Sequence, residues 1–145
     1  MSRLRHAREF LAPAPLCAVA VMALNDFALK PAFHNALTGK LSDFALCFFL
    51  PLYLSALAGL ALAAPARLRL LAGAGATALA FAALKLSPAA ARAFTRALGA
   101  LLGPAGLGTL RAAVDPTDLI ALPMVLVALW YARRHLEAEP EGVDP

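Results

Sequence analysis

Charge is scarce in this chain: only 15% of its 145 residues are Asp, Glu, Lys or Arg, and aromatic residues make up 8%. Soluble domains are about 25% charged and about 45–50% apolar, whereas 61% of this sequence is hydrophobic. So much apolar material has no soluble core to fill. The formal charge of +4 arises from 13 Lys and Arg against 9 Asp and Glu, yet the basic residues lie between apolar runs and are not grouped with aromatics, which excludes a nucleic-acid surface. No Ser-His-Asp set, HExxH, CxxC or nucleotide-binding loop occurs. No cofactor or metal is therefore expected. Cysteine appears twice, as Cys17 and Cys47, each inside an apolar run. In antiparallel helices their depths would differ too much for a disulfide.

What is present is a series of long apolar runs, at about 10–29, 44–64, 68–86 and 114–132. Inside lipid only a helix satisfies every backbone group within one segment, and a span needs about 20 residues. The expected fold is all-α: a polytopic transmembrane four-helix bundle forming one domain over residues 1–136. The fourth run reaches spanning length only if Val114–Thr117 join it. The opening Arg3, Arg5, His6 and Arg8 before Phe10 imitate a signal peptide, but the apolar run continues nearly to Leu29, as a first span would.

Pro51 and Pro123 fall inside spans, where membrane helices tolerate kinks. Ser55, Gly59 and Ala63 recur at four-residue spacing, as do Gly73 and Thr77, a small-residue pattern that permits close helix approach. Between the third and fourth spans, Phe94, Leu98, Leu101 and Leu102 share one helical side and Arg92 and Arg96 another. That pattern predicts an interfacial amphipathic helix, ending in a turn through Gly103, Gly106 and Gly108. The residues 137–145, with Glu137, Glu139, Glu141 and Asp144 among Pro and Gly, read as a disordered acidic tail.

With both termini in the cytoplasm of a cell-membrane protein, Arg3, Arg5, Arg8, Arg67, Arg69, Arg133 and Arg134 lie inside, in tight clusters flanking spans. Lys30, Lys40, Lys85, Arg92, Arg96 and Arg111 then lie outside, with Asp26, Asp43, Asp115 and Asp118. Asn25, His34, Asn35, Thr38, Ser42 and Thr117 belong to that outer side. Asn25 and Asp26 fall inside the end of the first run, where charge is costly. Lys30, at i+4 from Asp26, is positioned to pair with it. Ser42 and Thr117 read as N-caps, with Asp43 and Asp118 at the positive end of each helix dipole. The endings Ala28-Leu29-Lys30-Pro31 and Ala83-Leu84-Lys85 also hint at two related helical hairpins.

Lys40 with Asp43-Phe44, and Asp115 with Asp118, within a four-span chain, resemble the VanZ-like membrane proteins. Asp43 stands where that family tends to show a histidine. The resemblance implies an envelope-associated role and names no reaction.

Three functions fit these residues. The first is binding of an anionic headgroup or small polar ligand at Asn25, Asp26, Lys30, Lys40, Asp43, Lys85, Arg92, Arg96, Asp115 and Asp118, with membrane lipid as the partner. The second is a structural or accessory subunit packed against another membrane protein or a second copy of itself. The third is a metal-dependent membrane enzyme using Asp43, Asp115, Asp118 and His34, although the sequence favours a protein that is not an enzyme.

Overall fold

Asn35 decides where the second helix begins. Its side chain accepts from the Thr38 backbone N–H at 2.9 Å, while Thr38 Oγ1 accepts from the Asn35 backbone N–H at 3.3 Å. This reciprocal capping box satisfies two of the donors that a helix start leaves open. The computed structural model describes residues 11–33, 35–102 and 113–137. Among the described residues every regular element is helical: α1 Pro13–Phe33, α2 Ala36–Ala61, α3 Ala66–Leu86, α4 Pro88–Leu102, a 3-10 segment Pro116–Ala121 and α5 Pro123–Glu137. Three of them, α1, α2 and α3, are long and apolar enough to cross a membrane.

The chain divides into two compact units, one of residues up to Ala78 together with those from Ala121 onward, the other Leu79–Ile120. In the first unit α1 and α2 run antiparallel. Asn25 meets Thr38 and Ser42 near one end, and Ala14 and Ala18 meet the cluster containing Phe48 and Leu52 further along. Leu70 of α3 and Ala128 and Ala132 of α5 complete that cluster. The Phe48 and Tyr131 rings meet edge to face at 5.7 Å between centroids. The helices α2 and α3 come close together at Gly73, where an added Cβ would lie 2.6 Å from the Pro51 carbonyl oxygen and 3.3 Å from the Ser55 nitrogen. Only a glycine admits that contact.

Several expectations are corrected. The second helix begins at Ala36 rather than Phe44, so Ser42 is not its cap and lies inside it. The first helix continues through Pro31 to Phe33, beyond Leu29, and it does so by opening into a π-helical turn over Asn25–Leu29. Pro31 supplies the reason: it cannot donate to the Phe27 carbonyl, and its ring crowds that carbonyl. Of the small-residue row, Ser55 is buried, but α2 ends at Ala61, which leaves Ala63 exposed in the Leu62–Pro65 link. Thr77 is buried and donates to the Gly73 carbonyl at 2.8 Å. Arg69, grouped by its sequence with the arginines that flank the spans, is a buried residue of α3, and its Nη1 donates to the Ala64 carbonyl.

The fourth run is not one long helix. Pro116–Ala121 is a tight 3-10 segment followed by the 15-residue α5, which is not among the helices of spanning length and hydropathy. Cys17 is exposed and Cys47 buried, with no disulfide between them. The glycine-rich turn after Leu102 and residues 138–145 lie outside the described residues.

Candidate functional site

The first polar cluster is built by α1 and α2. Thr38 and Ser42, four residues apart, share a face of α2, and the π-helical turn of α1 brings Asn25 and Asp26 against them. Asn25 is fully buried. Its Nδ2 uses both N–H groups, donating to the Thr38 carbonyl at 2.6 Å and to Ser42 Oγ at 2.8 Å. The Ser42 hydroxyl donates in turn to Asp26 Oδ1 at 2.6 Å. Lys30 Nζ donates to the same Asp26 oxygen at 2.6 Å. Amide, hydroxyl, carboxylate and ammonium thus form one hydrogen-bonded chain running from the interior to the surface.

Two features of this chain are unlike ordinary helix packing. Among the described residues Asn25 Oδ1 is buried with no hydrogen-bond partner, a condition that costs about 1–3 kcal/mol in a protein interior. At the other end, Lys30 and Asp26 are 40% and 42% exposed in their side chains, although α1 is an apolar helix of spanning length. The cluster therefore couples an unsatisfied buried acceptor to an accessible ion pair.

The second unit holds a different pair. Lys85, near the end of α3, donates to Asp118 Oδ2 of the 3-10 segment at 2.7 Å, with side chains only 13% and 10% exposed. The Lys85 ammonium also lies 5.4 Å from the Phe81 ring centroid, a favourable cation–π arrangement. Asp118 is therefore an ion-pair partner. The 3-10 segment is capped by Asp115, not Thr117: Asp115 Oδ1 accepts from the Thr117 backbone N–H at 2.9 Å and from its hydroxyl at 2.7 Å.

Of the remaining candidates, Lys40 and Asp43 are half-buried residues of α2, each engaged in an interaction of its own. Arg92 and Arg96 are exposed on α4. His34 and Arg111 lie outside the described residues. Among the described residues, no three His, Cys, Asp or Glu side chains gather closely enough to hold a metal ion. Sequence reasoning assigned Ser42 to a cap and Thr38 only to a side of the membrane. Their four-residue spacing on one face of α2, opposite a polar pair in the neighbouring run, was the available signal of a shared role.

Comparison with protein families, with characterised proteins and with solved structures gives no match to this chain. Its own residues carry the functional reading.

Proposed function

We propose that this chain is a multi-pass integral membrane protein of the cell membrane that binds the phosphate-bearing headgroup of a membrane lipid at the cluster of Asn25, Asp26, Lys30 and Ser42. The carrying observation is the exposure of Lys30 and Asp26, 40% and 42%, on the surface of a helix with spanning length and hydropathy. In a bilayer that surface meets lipid. A charge there is costly, most at the centre and less toward the edge, and a headgroup drawn down to the pair offsets the cost. The Lys30 ammonium carries three N–H donors; its hydrogen bond among the described residues goes to Asp26. A phosphate oxygen is a suitable acceptor for another.

The membrane arrangement behind this reading has four crossings. Three are α1, α2 and α3; the fourth is the run that contains α5, whose 15 residues give roughly 22 Å at 1.5 Å per residue, a length suited to a thin stretch of bilayer. Helix α4 lies along the interface: Phe94 and Leu101 are exposed on one edge and Arg92 and Arg96 on another, as suits a helix resting between hydrocarbon and anionic headgroups. The arginine clusters support a threading with both termini in the cytoplasm. An envelope role, as in the VanZ-like proteins the sequence resembles, accords with this arrangement.

The test is lipid retention. Lys30→Ala, purified in mild detergent and examined by native mass spectrometry, is expected to lose most of the phospholipid that the unaltered protein retains. Equal retention removes this reading and leaves the second, an accessory subunit packed against a larger membrane partner or a second copy. That alternative is favoured by the closed Lys85–Asp118 pair, which has the character of a structural tie.

A further inference from the structure

We infer that the headgroup held at this cluster carries a primary amine beside its phosphate, as a phosphoethanolamine lipid does, with Asp26 taking the ammonium and Lys30 the phosphate. The inference rests on the headgroup reading above and names the class of lipid.

Its basis is the charge pattern. Lys30 and Asp26 stand 2.6 Å apart, both accessible, so the surface offers one positive and one negative charge side by side. A purely anionic headgroup is drawn to Lys30 and repelled by Asp26. A headgroup with both charges meets each with its opposite, and the apolar surroundings of a spanning helix strengthen the discrimination.

The hydrogen-bond inventory points the same way. Asp26 Oδ1 already accepts from Lys30 and from Ser42, and Ser42 thereby holds the carboxylate in place. The second carboxylate oxygen accepts no bond from the described residues and is the acceptor for an incoming N–H. A primary ammonium brings three such donors, whereas a trimethylated nitrogen brings none.

The experiment uses the full chain, delipidated in mild detergent and offered an equal mixture of phosphatidylethanolamine, phosphatidylcholine and phosphatidylglycerol with identical acyl chains. Bound lipid is read by native mass spectrometry. The ethanolamine lipid is expected to be retained about fivefold or more over the choline lipid. Asp26→Asn is expected to erase that preference while phospholipid is still retained, and Lys30→Gln to lower retention of all three. Equal retention of the ethanolamine and choline lipids, or an unchanged ratio in Asp26→Asn, overturns the amine assignment while leaving the headgroup reading intact. Retention unaffected by Lys30→Gln overturns the headgroup reading itself. Glycerophosphoethanolamine, the same headgroup without acyl chains, is expected not to displace the lipid; displacement would overturn the bilayer as the source. Thermal melts followed by circular dichroism check that both variants remain folded.

Discussion

The Asn25 carboxamide donates to the Ser42 hydroxyl at 2.8 Å across 17 positions of sequence, and both side chains are buried. This bond joins α1 to α2 and lets Ser42 pass a hydrogen bond on to Asp26. Ser42→Ala strands one Asn25 N–H and removes a donor from Asp26 at once. It is expected to destabilise the protein by about 1–3 kcal/mol, the cost of leaving a buried polar group unmade. Replacing Asn25 by Leu in the same chain removes the stranded partner, so the double variant loses less than the sum of the single losses. Unfolding in mixed detergent measures both.

The start of α2 gives a second prediction. Asn35→Ala breaks the capping box and is expected to cost about 0.5–2 kcal/mol. Hydrogen exchange then rises at the backbone amides of Leu37 and Thr38. Thr117→Ala, which spares the Asp115 cap of the 3-10 segment's first backbone N–H, changes stability less.

At the α2–α3 contact, Gly73→Ala drives a methyl to 2.6 Å from the Pro51 carbonyl oxygen. The helices must separate, at about 1–3 kcal/mol. Gly75→Ala, where nothing lies within 4 Å, is expected to be neutral or to stabilise by up to about 1 kcal/mol. Thermal unfolding of the two variants side by side measures the difference.

The Lys85–Asp118 pair carries a fourth prediction. With the side chains 13% and 10% exposed, Lys85→Met leaves Asp118 a buried charge without its ammonium partner, at about 3–5 kcal/mol. Lys85→Met combined with Asp118→Leu recovers most of that loss, because no charge then remains to be buried. Chemical unfolding of the single and double variants reads the recovery.

These sites mark where sequence reading succeeds and where it stops. Three helices of spanning length were legible because a run such as Leu68–Leu86 is long and apolar and begins beside Arg67 and Arg69, and lipid leaves such a run only the helix. The beginning of α2 was not, because Thr38, Gly39, Lys40, Ser42 and Asp43 look like a loop when hydropathy is the guide; the Asn35 and Thr38 capping pair overrides that pattern. The i+4 pairing of Lys30 with Asp26 is local geometry and could be read directly. The Lys85–Asp118 bond spans 33 positions, and no periodicity connects its ends. The π-helical turn was hidden for a similar reason: it joins the backbone demand of Pro31 to contacts that Asn25 makes with another helix.

The account depends most on the chain threading the membrane so that the beginning of α2 and the beginning of α3 lie on opposite sides. Leu37 and Arg67 are both exposed. In a chain with Cys17 and Cys47 replaced by Ala, single cysteines at these two positions can be labelled in intact cells with a membrane-impermeant maleimide. The account predicts labelling at position 37 from outside, and labelling at position 67 only after the membrane is opened. Labelling of both from the same side would contradict it.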